Sequence, residues 1–293
     1  MRFPSNYCTR LAVSTKLLDP CSLQWDNEGV TYPTNPYTEL TSLFNQGKLR
    51  AILASGQAVV LHRLAIMSKD GDWIVREDDL DLDHILGILE SKGARYRFGA
   101  PLDVRWLRGG WSSHFEYNEQ GLRIRTDFVT RPPRISVEQL ASLWQAQQGV
   151  DMPFVDTAVL AEMKKTKREK DYPVIGELAR LMQEPKMQLL YSRSARDLLA
   201  LAEQYPESVA ELSSSRALLK VVSEGLKPLE IALDAERRDL MREDDERLSR
   251  YITAADEWRE KWSTIADQME GLPLREAHQL VTEKARKVLP FEV

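Results

Sequence analysis

Cysteine is almost missing from this chain: Cys8 and Cys21 are the only two. They are too few for a disulfide framework or a zinc site of their own, and they suit a reducing compartment. Long apolar runs are lacking too. None approaches the roughly 18 residues of a membrane-spanning helix, so no membrane partner is expected. The start, Met1-Arg2-Phe3-Pro4-Ser5-Asn6, has no continuous apolar stretch of the kind a signal peptide needs, and a cytoplasmic location is the expectation. There is no excess of positive charge. A net charge of −5 argues against wholesale coating of nucleic acid while leaving room for local basic patches. Internal repeats and low-complexity tracts are absent as well.

What remains is an ordinary globular composition, with 43% hydrophobic and 29% charged residues over 293 positions, long enough for one large domain or two smaller ones. Residues 1–49 read as an N-terminal arm, irregular and rich in Pro, Asn, Thr and Ser over 1–35, with a short helix from Tyr37 to Gln46. From Arg50 the pattern alternates. A buried strand over Arg50–Ala54 leads into a helix over Gln57–Ala65, then a strand over Asp72–Arg76 and a helix over Leu80–Lys92 capped by Asp78 and Asp79. Strands are expected at Arg95–Phe98, Asp103–Leu107, Ser112–Tyr117 and Arg123–Thr130, with turns at Gly109-Gly110 and Asn118–Gly121. Helices follow from Ser136 to Gln147, Asp156 to Lys167 and Asp171 to Met182. After Pro185 strand patterning disappears and amphipathic segments dominate. The fold class is therefore α+β: a mixed sheet flanked by helices over 50–184, followed by an all-helical region over 185–293.

Three aspartates carry the functional signal. Asp70 and Asp72, in Ser68-Lys69-Asp70-Gly71-Asp72, would point to one side of a strand. Asp127, in Arg125-Thr126-Asp127-Phe128, sits in a strand pattern from which aspartate is normally depleted. Carboxylates brought together repel unless a cation lies between them, and Mg²⁺ suits such a role. Taken alone, Asp70-Gly71-Asp72 reads more readily as a tight hairpin turn, and Asp127 reads equally well as an edge aspartate paired with Arg123 or Arg125. Ser55-Gly56, where a strand passes into a helix, offers backbone N–H groups to a phosphate, though most such pairs are plain turns. Lys164 and Arg168 would share a helical face at i, i+4 and together hold a phosphate; the duller reading of that run is a solvated helix end. His114 could serve as a base or positioning group, but a strand histidine is more often structural. Arg123, Arg125, Arg131 and Arg134 surround the third aspartate and favour a polyanionic acceptor.

The order of these segments resembles the nucleotidyltransferase superfamily of the DNA polymerase β type, in which a Gly-Gly or Gly-Ser turn precedes Asp-x-Asp by about a dozen residues and a third Asp follows on a later strand. More closely, the chain resembles a group of uncharacterised bacterial nucleotidyltransferase-like proteins. The matching strings are Ser55-Gly56-Gln57-Ala58, Ser68-Lys69-Asp70-Gly71-Asp72, His114-Phe115, Arg125-Thr126-Asp127 and Lys164-Lys165-Thr166 through Pro173. The last is also similar to abortive-infection nucleotidyltransferases that act as antitoxin-controlled toxins. The resemblance spans about residues 50–183. It implies a nucleotidyltransferase-like sheet and an enzyme that moves a nucleotide from an NTP to an acceptor such as an RNA 3′ end or a protein. Mg²⁺ or Mn²⁺ would be held by Asp70, Asp72 and Asp127, with Lys164 also catalytic. Ser55, Gly56, Lys69, Lys165, Arg168 and Asp171 would contact the nucleotide, Asp171 by orienting Lys164 or Arg168. An antitoxin-like protein partner follows from the same analogy. Gly71 and Thr126 depart from the group's pattern. The alternative is a degenerate nucleotide-binding module whose helical region recruits a partner.

Overall fold

The computed structural model describes residues 35–293; Cys8, Cys21 and most of the expected arm lie outside the described residues. Helix α1 (Pro36–Phe44) precedes strand β1 (Ala51–Ala54), helix α2 (Ser55–Leu61), strand β2 (Asp70–Val75), helix α3 (Asp79–Ser91), strand β3 (Arg95–Tyr96), helix α4 (Val104–Arg108), and strands β4 (Ser113–Glu119) and β5 (Leu122–Val129). Helices α5 (Val137–Ala146), α6 (Thr157–Met163), α7 (Asp171–Leu181), α8 (Pro185–Tyr191), α9 (Ala195–Gln204) and α10 (Pro206–Leu212) follow. A 3-10 turn over Ala217–Glu224 then leads to α11 (Leu226–Ala254), α12 (Asp256–Met269) and α13 (Leu274–Val288). The chain is α+β, with a five-stranded mixed open sheet in the order β1-β2-β5-β4-β3. Among the described strands, β2 and β5 pair in parallel and the other neighbours are antiparallel.

Local chemistry accounts for most of these elements. All four residues of β1 are buried, as expected of a short apolar run covered on both sides. Asp78 caps α3 by accepting from the Leu80 and Asp81 amides, and Ser136 and Gln139 form a capping box on α5. β4 and β5 are joined at Gln120 and Gly121, both with positive φ, which matches the twist of a two-residue hairpin turn. Two expectations are corrected. Asp103–Leu107 is no strand: Asp103 accepts from the Arg105 amide and starts the short helix α4, which buries Trp106 and Leu107. Asp70-Gly71-Asp72 is no hairpin turn: all three residues lie in β2 and pair with β5, and Asp72 also pairs with Ala54 of β1.

The two faces of the sheet bury different residues. Trp73, Phe115 and Phe128 point to one side, into a core shared with α1, α3 and residues of the last three helices such as Trp258, Ile265 and Val281. Ile52, Ala54 and Ile74 point to the other, under α2, α6 and α7. A third cluster, including Leu189, Leu198, Leu219 and Leu229, holds the helices from α8 to the start of α11. Helices on both sides of residue 184 thus share these cores, and Pro36–Val293 forms one compact unit. Trp73 is fully buried, stacks on Phe128 with ring centroids 5.4 Å apart and donates from its indole to Thr41.

That packing explains Gly71. A Cβ there would lie 2.4 Å from both the Trp73 and Tyr37 rings, so the aromatic filling occupies the room a side chain would need. We expect Gly71→Ala to lower stability by about 1–3 kcal/mol, the usual range for forcing an extra carbon into a packed core. Urea unfolding would read this as a lower midpoint; an unchanged midpoint would mean that the rings yield freely.

Candidate active site

Strand register sets out the site. Asp72 stands opposite Asp127 in the parallel β2–β5 pair, and Asp127 stands opposite His114 in the β5–β4 pair. One residue pair away, Asp70 faces Arg125, Arg125 faces Glu116, and Glu116 faces Arg95. Alternation puts all of these on the face that carries Ile74, beyond the part covered by apolar residues. The second row alternates in sign and so neutralises itself. The first sets two carboxylates side by side, about one strand spacing of 4.8 Å apart at the backbone.

Each aspartate meets this crowding differently. Asp127 accepts from His114 Nδ1 at 2.7 Å and pairs with Arg97 at 3.3 Å. Ser112 Oγ lies 2.8 Å from His114 Nε2. Because the carboxylate accepts, Nδ1 carries the donated proton, and in the neutral imidazole Nε2 then accepts from the serine. Asp70 meets Arg125 at 3.5 Å, and its Oδ1 is buried without a hydrogen bond. Half-buried Asp72 keeps the least compensation. Burial, followed by the charge of Asp127, pushes its carboxyl up to about 6, against the opposing pull of Lys164 and a hydrogen bond from Ser55.

The turn from β1 to α2 is built to reach Asp72. Ser55 adopts φ 48°, a left-handed backbone that costs a non-glycine residue on the order of 1 kcal/mol. A Cβ on Gly56 would fall 2.2 Å from Ser68 Oγ, so glycine is what lets the turn approach the loop before β2. Gln57 is buried, and its amide donates to the carbonyls of Ser68 at 3.1 Å and Asp70 at 3.2 Å. Lys69 is exposed, and its carbonyl accepts from the Tyr37 hydroxyl.

The lysine-rich string behaves otherwise than its spacing implies. Helix α6 ends at Met163, with Lys164 as its C-cap, so Lys164 and Arg168 do not share a helical face. Buried Asp171, the first residue of α7, gathers them instead. It pairs with Lys164 at 3.6 Å and accepts from Thr166 at 2.6 Å and Arg168 at 2.9 Å. Burial pulls the Lys164 ammonium below the usual lysine range. Lys165 is bound to Glu162 and lies over the Tyr191 ring, in the packing of α6 against α8. The four arginines around Asp127 are each already paired: Arg123 with Glu116, Arg125 with Asp70, Arg131 with Glu77 and Arg134 with Glu243.

No family model, no curated protein and no solved structure matches this chain. Among the described residues, no group of three or more His, Cys, Asp or Glu side chains is arranged to hold a metal ion. The donor chemistry nonetheless suits a hard divalent cation: carboxylates at neighbouring positions of one sheet face, a buried Asp70 oxygen with Arg125 at 3.5 Å but no hydrogen bond, and a second carboxyl raised by burial and then by its acidic neighbours. Sequence reasoning missed Arg97 and Ser112, which complete the surroundings of Asp127, and the clamp made by Gln57. Gln57 stood within a matching string with no role attached. Nothing local marks Arg97, whose place follows from its amide donating to the His114 carbonyl at 2.8 Å.

A pH test follows from Asp72. Its carboxyl holds a proton more tightly when folded, at about 6, than at the unfolded value of 3.8. The native state therefore binds more protons between those values, and this group's destabilising contribution grows as pH rises from about 4 to 6. In chelator, Asp72→Asn should be more stable than the parent protein at pH 7.5, on the order of 1–2 kcal/mol, and the gap should close near pH 4. Urea unfolding at both pH values measures this. A variant less stable at pH 7.5, or a gap independent of pH, would contradict the account.

Proposed function

We propose that this protein is a Mg²⁺-dependent nucleotidyltransferase moving a nucleotide from an NTP to an acceptor hydroxyl, on a nucleotidyltransferase-like sheet. The observation that carries the reading is the register that sets Asp72 beside Asp127 with Asp70 on the same face, in company with the Ser55-Gly56 turn and Lys164. The resemblance of the strings from Ser55 to Pro173 supports it.

Asp70, Asp72 and Asp127 would hold Mg²⁺ or Mn²⁺, whose charge would offset that of the triphosphate and of both oxygens in an in-line displacement. Lys164, kept partly dry and held by Asp171, would supply positive charge toward the departing pyrophosphate. Arg168, more exposed and fixed by the same carboxylate, would meet the phosphates from the solvent side. Ser55 and Gly56 would meet them at the turn. In the transfer, the acceptor oxygen forms a bond to the α-phosphorus while the bond to the bridging oxygen breaks and pyrophosphate leaves. The acceptor proton passes to the Asp127–His114 pair. Lys165 and exposed Lys69 have no part in this scheme.

The acceptor could be an RNA 3′ end, such as that of tRNA, or a protein. The pairing of all four arginines near Asp127 removes the argument that favoured a polyanion. One observation favours the alternative reading, a nucleotide-binding module without turnover: Asp127 is already engaged by His114 and Arg97, and Asp70 by Arg125. A toxin role with an antitoxin-like partner rests on resemblance alone.

Incubation with each α-labelled NTP and Mg²⁺ or Mn²⁺ separates the two. We expect label transfer by the parent protein and at least a 100-fold loss in Asp72→Asn and Asp127→Asn, each still folded by circular dichroism. Full transfer by both variants would refute the mechanism. Binding without transfer by the parent would establish the module.

A further inference from the structure

Beside His114 lies a cavity of about 430 Å³. Its volume is in the range of small-molecule sites. Its walls are unlike the charged rows of the sheet. Trp111, Tyr251 and Trp258 contribute their rings, and α11 contributes Leu248 and Ile252. The polar tips of the three aromatic residues are all committed to backbone carbonyls: Tyr251 to Gly109 at 2.8 Å, Trp258 to Gly99 at 3.0 Å and Trp111 to Pro290 at 2.9 Å. They therefore present carbon to the cavity.

Charge is also arranged against an ionic occupant. No aspartate or glutamate lines the cavity, and its three arginines are each paired with a carboxylate, Arg131 with Glu77, Arg247 with Asp244 and Arg259 with Asp256. A phosphodiester chain would need free cations there. Its other polar side chains are Ser112 and His114, whose mutual hydrogen bond is the kind an incoming hydroxyl can replace. The imidazole thus has one nitrogen on Asp127 and the other at the cavity. Gly99 keeps that ring in place, since a Cβ there would lie 2.5 Å from His114 Cδ2.

We infer that this cavity is the acceptor site, and that the acceptor is a small, uncharged molecule with a planar aromatic or heteroaromatic ring and a free hydroxyl. The ring lies among Trp111, Tyr251 and Trp258, and the hydroxyl takes the place of Ser112 and donates to His114 Nε2, one imidazole away from Asp127. The acceptor role rests on the nucleotidyltransferase reading; the cavity's affinity for such a molecule does not.

Calorimetry with adenosine and with 2-phenylethanol as probes tests the cavity, and calorimetry with a non-hydrolysable NTP and Mg²⁺ tests the nucleotide site. Leu248→Trp and Ile252→Trp both fill the cavity from α11; Ile252 is 49% exposed, so its replacement leaves the core untouched. We expect at least one probe to bind the parent protein and to lose 10-fold or more in affinity in both variants, with NTP-analogue affinity unchanged. Label transfer from NTP to that probe should fall in parallel. Absence of probe binding while the NTP analogue binds overturns the acceptor site alone. Failure of the NTP analogue to bind overturns the nucleotidyltransferase reading and the acceptor role with it. Labelling of tRNA by the parent and Leu248→Trp at equal rates shows that the acceptor is held elsewhere.

Discussion

Parallel pairing of β2 with β5 places Asp72 beside Asp127, and much of the surrounding structure can be read as a response to that juxtaposition. Two carboxylates at strand spacing on a partly buried surface repel each other and lose solvation. Asp127 is relieved by His114 and Arg97, whereas Asp72 has only Lys164 and the Ser55 hydroxyl. The imbalance leaves Asp72 as the strained partner. Natural proteins keep such a feature at a site more readily than in a scaffold, because stability alone would select a neutral side chain there.

The helices hold this pair in place from two directions. On one side, α2, α6 and α7 bury Ile52, Ala54 and Ile74 and bring the Ser55 turn and the Lys164–Asp171 loop to the end of the apolar patch. On the other, α11, with 29 residues and a length of roughly 44 Å, joins distant parts of the site. Its buried Asp244 accepts from the Lys167 amide at 2.8 Å, next to the loop. About one and two helical turns further on, Leu248 and then Tyr251 and Ile252 form a wall of the aromatic cavity. A change in the pitch of α11 would therefore reach both the Lys164–Asp171 loop and the cavity. The helices beyond residue 184 belong to the architecture of the site as much as to their own cluster.

Parts of the site were legible in the residues and parts were not. The period of two in a strand put Asp70 and Asp72 on one side, and the oddity of an aspartate in Arg125–Val129 flagged Asp127. The local rule for Asp-Gly favoured a turn, and it lost because Gly71 is needed under Trp73 and Tyr37 rather than for its freedom of backbone. The i, i+4 argument for Lys164 and Arg168 lost because the helix stops at Met163 and buried Asp171 gathers both side chains. The four arginines looked like a polyanion site only while their carboxylate partners, some more than fifty residues away, were out of view.

Composition and periodicity by themselves determined that this chain builds an α+β core with a helical remainder, and which carboxylates share a face, because those properties depend on neighbours within a few residues. Tertiary structure alone decided what the charges do. Strand order set Asp72 against Asp127, the hairpin brought His114 and Ser112 to the same carboxylate, and α11 closed an aromatic cavity beside them. An ionisable group takes its character from the charges and the water around it, and in this fold those come from segments far apart in the chain.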